Sequence, residues 1–423
     1  MGEKVVHFFQ YRDDVLYCEE IPIGTIADRV DTPFYLYSYK TMERHFRVFD
    51  SAFESVPHIV CYSLKANSNL ALVRAFQTMG GGADVVSGGE LFRALKAGVP
   101  PSKIVFSGVG KTPREIEYAL ENQILMFNVE STQELAAINE QAGQIGVRAP
   151  VALRVNPDVD PKTHPHISTG LRENKFGIAY DEALSVFQGA RHLRHVEVVG
   201  IDCHIGSQLT DLTPFVEALK KLRELVRVLE SEGIRIRFMD LGGGLGITYH
   251  HEAPPHPSDY AQVIREETKG LDVTLIFEPG RVIVGNAGIL VTKVLYLKKT
   301  SEKLFVIVDA GMNDLIRPAF YGAFQVILPV VKRDKKEVVA DIVGPICESS
   351  DFFAKARTIV EPEPGDLLAV MSAGAYGFSM SSNYNSRGRV CEVLVNGDSP
   401  AVIRERESYE DLVRGEQIPD FLD

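Results

Sequence analysis

The sequence is short of the features that build cross-linked, zinc-bound or membrane-spanning proteins. Its five cysteines, Cys18, Cys61, Cys203, Cys347 and Cys391, are odd in number, far apart and without a CxxC pair. Neither a disulfide framework nor a metal site is expected, and the thiols read as reduced ones in a cytoplasmic protein. No apolar run approaches the roughly 18 residues of a membrane helix; the best, Ile289 to Leu297, is broken by Lys293. Met1 to Gln10 shows no charged-then-apolar signal organisation. Positive charge is also scarce. Lys+Arg total 45 against 57 Asp+Glu, a net charge of −12 at pH 7. That argues against nucleic acid and acidic membrane surfaces as partners, since both need a basic patch.

What is present is globular. A composition 45% hydrophobic and 24% charged excludes disordered and fibrous classes. At about 150 residues per domain, 423 residues suggest two or three domains, or one large barrel with an appendage. From about residue 59 short apolar runs alternate with longer amphipathic segments. The runs are Ile59–Leu64, Ala83–Ser87, Ile104–Ser107, Ile124–Val129, Val151–Val155, Val196–Cys203, Ile236–Leu241 and Val273–Phe277. Between them, residues such as Phe215, Leu219, Leu222, Val226 and Leu229 step by four and three onto one helix face.

Eight strand–helix units with strands too apolar to alternate predict a (β/α)8 TIM barrel of the α/β class over 36–280. An open doubly wound sheet is the competitor. The barrel is preferred because polar and glycine residues cluster at strand ends: Lys65, Asp84, Ser87, Arg154, Asn156, His204, Gly242–Gly244 and Glu278. Closure would bring them to one mouth. After Arg281 the runs become strand-like: Val282–Val284, Ile289–Leu297, Leu304–Val308, Gln325–Val331, Val338–Ile342 and Leu367–Val370. An Asn396-Gly397 turn then joins Cys391–Val395 to Ala401–Arg404. A mainly-β barrel or sandwich domain over 281–423 is expected, joined by residues 1–35 through Val5–Phe9 and Val15–Tyr17.

Two nucleotide motifs fail. Gly110-Lys111-Thr112 imitates the end of a P-loop, but Val105 stands where its first glycine is needed. Gly242-Gly243-Gly244-Leu245-Gly246 has Ile247 in place of the last glycine of the dinucleotide fingerprint. Three consecutive glycines after a buried strand then read as a loop whose N–H groups wrap a phosphate, or as a tight turn at a barrel corner. Lys65 is a solvated strand-end lysine or, at a catalytic mouth, an amine nucleophile. His204 reads as a core histidine when taken alone. The trio His250, His251 and His256, set among prolines, reads as an exposed loop rather than a metal site. Glu278-Pro279-Gly280-Arg281 is consistent with a surface ion pair, and Cys347 with an apolar filler.

Together these stretches resemble one family, the barrel-type pyridoxal-phosphate-dependent amino-acid decarboxylases, whose fold is alanine-racemase-like. The matching segments are Tyr62 through Asn67, Asp84 through Glu90, Lys175-Phe176-Gly177, His204 through Gln208, Asp240 through Gly244, Glu278 through Arg281, Cys347-Glu348-Ser349 and Ala375-Tyr376-Gly377. The resemblance implies pyridoxal phosphate as cofactor and a homodimer with shared active sites. It implies that Lys65 carries the cofactor's aldehyde, Glu278 faces its ring nitrogen and His204 stacks on its plane. The phosphate would rest on Gly242, Gly243 and Gly244, with Ser207, Pro279, Gly280, Arg281 and Tyr376 completing the cofactor site. Cys347 from the partner subunit would return a proton to Cα. For substrate, Glu348 would meet a distal ammonium, and Arg281, Arg317, Tyr321 and Tyr376 a distal carboxylate. Such an acid–base pair suits meso-diaminopimelate, with lysine as product. A relative acting on ornithine, arginine or carboxynorspermidine, an alanine-racemase-like enzyme and a non-catalytic regulator are the rivals. Gly246–Pro257 reads as an insertion.

Overall fold

The computed structural model describes residues 7–160 and 174–422. The chain divides into two units, Glu43–Ile283 and a second made of residues before 43 and after 283. In the first unit all eight expected strands are present and parallel. Around the ring they run His58–Ser63, Gly82–Val85, Ile104–Phe106, Met126–Val129, Ala149–Asn156, Val196–Asp202, Phe238–Asp240 and Thr274–Phe277. Thr274–Phe277 pairs back onto His58–Ser63, so the sheet closes. The open-sheet alternative is thereby excluded.

The helices form where the sequence caps them. Asn69, Ser87, Thr112 and Ser131 each accept an N–H of the first turn of the helix that follows, worth about 1 kcal/mol apiece. Thr112 and Glu115 make a reciprocal capping box, so part of the P-loop-like stretch is a helix start. On helix Thr213–Ser231 the residues Phe215, Leu219, Leu222, Val226 and Leu229 are all buried.

The second unit is mainly β. One sheet runs in the order Phe352–Val360, Glu337–Val343, Leu304–Val308, Gly288–Lys299, Phe34–Ser38, Cys391–Asn396 and Ser399–Arg404. Phe34–Ser38 is buried at all five positions because it lies between Gly288–Lys299 and Cys391–Asn396. Hence the boundary falls after Met42 rather than after residue 35. Phe9–Arg12, Val15–Cys18 and Ile21–Pro22 form a small sheet of their own. Its Phe9, Leu16 and Ile21 share a core with Phe34, Ile289, Val291 and Val393. Val5 and Val6 of the expected first strand lie outside the described residues. One expectation is corrected: Val282–Val284 is not a strand but part of the helical turn Arg281–Val284. The turn at Pro279-Gly280 starts it, with Ile283 N–H donating to Gly280 O.

The barrel's wall near the last strand is aromatic. Phe277 is fully buried, its ring 4.1 Å from that of Phe53 and 5.7 Å, edge-on, from that of Phe49. Phe277→Ala is expected to remove about 3–5 kcal/mol of stability, read from the urea unfolding midpoint; a loss below about 1 kcal/mol would show that the cluster repacks freely.

Candidate active site

Side chains alternate along a strand, so residues two apart share a face. Inside the barrel, Cys61, Val105, Met126, Ala152 and Ile276 belong to one apolar cluster. Two positions further along the same strands stand Ser63, Ser107, Asn128, Arg154 and Glu278. The other three strands behave alike, with Asp84 two beyond Gly82, Asp202 two beyond Gly200 and Asp240 two beyond Phe238. Each of the eight strands thus delivers one polar residue to the mouth, and all eight are buried.

Four of the eight are acids. Burial pushes Asp202 and Glu278 well above the usual carboxylate range, and Asp240 up to about 7, each raised further by its acidic neighbours. Asn128 Nδ2 lies 3.2 Å from Glu278 Oε1 and 3.0 Å from Asp240 Oδ2. Ser107 Oγ donates to Glu278 Oε1 at 3.1 Å. Arg154 donates to Glu130 at 2.7 Å and approaches Asp202 at 3.7 Å. Its guanidinium lies 4.9 Å from the centre of the Phe176 ring, and Glu130 accepts Gly177 N–H at 2.8 Å. The Lys175-Phe176-Gly177 motif is therefore seated on the Arg154–Glu130 pair.

Lys65 follows the first strand in the turn Leu64–Ala66, and its Nζ donates to Asp84 Oδ2 at 2.8 Å. Ser63 Oγ donates to the same oxygen. Ser63 N–H, two residues before Lys65, donates to Pro279 O, next to Glu278, and Gly243, which donates to His204, packs on the Glu278 carbonyl, so amine, imidazole and acid flank one mouth. His204 is held well below its ordinary pKa by burial, then by the Arg154 and Lys65 charges. Its Nδ1 accepts Gly243 N–H at 3.1 Å, so a neutral ring carries its proton on Nε2.

The triple glycine does not offer three open donors. Gly242 N–H donates to Asp240 Oδ1 at 2.9 Å, and Gly243 N–H goes to His204. The glycines are required by close approach: a Cβ on Gly243 would strike the carbonyl of Glu278, and one on Gly280 would lie 3.0 Å from Ala66 and 3.1 Å from Ser63. Arg281 is buried, donating to Ser207 Oγ at 3.1 Å and to Tyr249 Oη at 2.6 Å.

In the second unit Arg317 is buried at the start of helix Arg317–Tyr321, 5.6 Å from the centre of the Tyr321 ring. Cys347, alone of the five cysteines, is exposed, so it is no apolar filler. Its N–H donates to Asn385 Oδ1 at 2.7 Å. Asp351 shapes the Cys347-Glu348 loop by accepting Ile346 N–H and Met312 N–H, both at 2.7 Å. Tyr376 is half-buried with φ 55°, a left-handed conformation uncommon for a bulky residue. Among the described residues no His, Cys, Asp or Glu group is arranged to hold a metal ion.

Lys65, His204, Ser207, Gly242–Gly244, Glu278 and Arg281 are therefore partners in one barrel, while Arg317, Tyr321, Cys347, Glu348 and Tyr376 belong to the other unit. Ser107, Asn128, Glu130, Asp240 and Tyr249 were not singled out by their chemistry in the sequence. The signal for the strand residues was the polar position two beyond an apolar one. Tyr249 lies in Gly246–Pro257, whose turn is tied by Glu252 accepting the N–H groups of Tyr249 and His250.

Residues 39–285 match the pyridoxal binding domain of the pyridoxal-dependent decarboxylases, and the chain belongs to that family. Within it, two relatives are diaminopimelate decarboxylases. That of Vibrio cholerae is 53% identical over 407 residues, 96% of this chain and 97% of its own length; that of Pseudomonas aeruginosa is 54% identical over 410 residues, 97% and 99%. The crystal structure of the M. jannaschii diaminopimelate decarboxylase in complex with L-lysine matches with a TM-score of 0.94 at 42% identity, covering 99% of each chain.

The raised acids carry a pH dependence. Asp240 holds its proton in the native state up to about pH 7, whereas in the unfolded chain it loses it near 3.9. The native state then binds more protons over that window, so stability falls as pH rises through it. Asp240→Asn is expected to flatten the fall in melting temperature between about pH 4 and pH 7; a slope equal to that of the parent protein would remove Asp240 from the account. Gly243→Ala is expected to cut cofactor affinity at least about tenfold by displacing Glu278 and His204, measured by equilibrium titration.

Proposed function

We propose that this protein binds pyridoxal phosphate at the barrel mouth and releases the α-carboxyl group of meso-2,6-diaminopimelate as carbon dioxide, leaving L-lysine. The relatives support the substrate. The single observation that carries the chemistry is the convergence of the Lys65 amine, the His204 imidazole and the Glu278 carboxyl at one acid-rich mouth. The donor set fits the cofactor: an amine for an aldehyde, a carboxyl for a ring nitrogen, and the Arg281 guanidinium with Ser207 for a phosphate.

When bound, the cofactor supplies a sink for the electron pair left on Cα as carbon dioxide departs. The chain supplies everything else. Lys65 would hold the aldehyde, and Asp84, which accepts from Nζ, sets where that amine stands. Glu278 would favour a protonated ring nitrogen, the better electron acceptor. His204, with its tautomer fixed by Gly243, would present its uncharged face to the ring and add no positive charge. Gly242–Gly244 with Ser207, Pro279, Gly280 and Arg281 would line the rest of the cofactor's surroundings.

In the second unit, Glu348 suits the substrate's distal ammonium. Arg317 and Tyr321, together with Arg281 and Tyr376, suit its distal carboxylate. A buried arginine in such a site favours substrates that bring a carboxylate for it to bind. Cys347 would deliver the proton to Cα from the partner subunit of a homodimer; a thiol gives up its proton close enough to neutrality for that task. The site of work would be the cytoplasm.

Incubating the protein and cofactor with meso-diaminopimelate, ornithine, arginine and lysine separately is expected to release carbon dioxide from the first alone. Equal release from ornithine or arginine would move the substrate class to the diamine-forming relatives. Lys65→Ala should abolish the yellow absorbance of the bound aldehyde; if that absorbance persists, another lysine carries the cofactor. Cys347→Ala should leave cofactor binding intact and reduce kcat at least about a hundredfold. A wild-type rate in that variant would rule the thiol out as proton donor.

A further inference from the structure

Asn128 stands at the crossing point of the mouth's hydrogen bonds. Its Nδ2 lies 3.2 Å from Glu278 Oε1, 3.0 Å from Asp240 Oδ2 and 3.1 Å from Ser107 Oγ. Two amide hydrogens therefore face three acceptors. Ser107 in turn donates to Glu278 Oε1 at 3.1 Å. Both donors to the Glu278 side chain fall on Oε1, and none among the described residues falls on Oε2.

Asn128 is itself held from behind. Its backbone carbonyl accepts from Lys111 Nζ at 2.8 Å, and that ammonium also donates to Gly108 O at 2.8 Å and to Glu134 Oε1 at 2.7 Å. The Lys111 side chain is 1% exposed. All three of its hydrogens are engaged, and a buried lysine with a full set of acceptors is a rigid support. The lysine of the P-loop-like stretch thus has a place in the fold that involves no phosphate.

We propose that Asn128, fixed by Lys111, is a positioning residue that divides its amide between Glu278 and Asp240, keeping Oε1 of Glu278 occupied and Oε2 open to the cofactor's ring nitrogen. The proposal rests on the reading of the barrel mouth as the cofactor site. It follows from the company Glu278 keeps. Burial, then Asp240 and Asp84, press it toward its neutral form, while Lys65 and Arg154 pull the other way. Hydrogen bonds to the charged form oppose that pressure. With Asn128 lost, Glu278 and Asp240 each forfeit a donor and only Ser107 remains for Glu278. A neutral Glu278 no longer favours a proton on the ring nitrogen.

The test is a pH titration of enzyme loaded with nitrogen-15-labelled pyridoxal phosphate, following the ring nitrogen's chemical shift in the wild type and in Asn128→Leu. Cofactor affinity is measured beside it. The leucine variant is expected to bind the cofactor about tenfold more weakly. Its ring nitrogen should lose its proton about one pH unit lower than in the wild type. Asn128→Ser, smaller and still able to donate, should fall between the two and gives the same comparison if leucine is poorly accommodated. An unchanged titration midpoint in both variants overturns the proposal even if their melting temperatures drop, because Asn128 would then only fill space. A wild type that takes up no cofactor overturns the underlying reading, and the proposal with it.

Discussion

Four carboxyl groups buried in a ring of eight polar residues, with Arg154 among them and Lys65 at the edge, set the condition that the barrel mouth has to satisfy. Taking a carboxylate out of water is expensive, and the expense grows when other carboxylates share the same low-dielectric space. The structure meets it with neutral donors as well as cations. Asn128 serves Glu278 and Asp240, Gly242 N–H serves Asp240, and Ser63 serves Asp84. Arg154 is tied on two sides, to Glu130 and Asp202. What remains is met by protons, since burial and the neighbouring acids raise Asp202, Asp240 and Glu278. His204 adds no charge to the mouth, since burial first and then Arg154 and Lys65 oppose its protonation.

How much of this could be read from the sequence depends on how local each signal is. The eight barrel strands are short apolar runs in register with helix caps, and all eight appear where expected. Lys65, His204 and Glu278 stood out because a charge or imidazole directly after a buried strand needs a reason. Asn128 did not, because it sits inside its strand and its meaning lies in a partner over a hundred positions away. Phe352–Val360 went unseen because Lys355 and Arg357 interrupt its apolar character, though its pairing with Glu337–Val343 is extensive. The expected boundary after residue 35 cut through Phe34–Ser38, because nothing in five residues reveals which sheet will take them. Val282–Val284 has the β-branched composition of a strand, yet the Pro279-Gly280 turn ahead of it starts a helical turn. Local propensity yielded to backbone geometry there.

A buried carboxylate that accepts two backbone N–H groups positions a loop of the second unit. In the β unit Asp351 takes Ile346 N–H and Met312 N–H and so shapes the loop that presents Cys347. Gly344 is required beside it, since a Cβ there would lie 2.5 Å from Asp351 Oδ2 and 2.6 Å from Ala310 O. Burial raises the Asp351 carboxyl while those two N–H groups lower it. The loop is thus ordered by an acid that takes no part in the proposed chemistry.

In the barrel the corresponding device is the triple glycine, and its chemistry differs from that of a phosphate cradle built on free N–H groups. Gly242 N–H reaches Asp240, Gly242 O accepts the N–H of Glu278 at 2.8 Å, and Gly243 N–H reaches His204. Through this one dipeptide, the imidazole, the acid and Asp240 are all referred to the same stretch of backbone. Their relative placement then depends on main-chain hydrogen bonds rather than on side-chain rotamers, which is a stiffer arrangement. It also explains why a side chain is excluded at Gly243: a displaced Glu278 carbonyl would shift the acid and the imidazole together. The glycines hold the two functional groups in register, and an anion at this end of the mouth has the Arg281 guanidinium, already oriented by Ser207 and Tyr249, as its fixed charge.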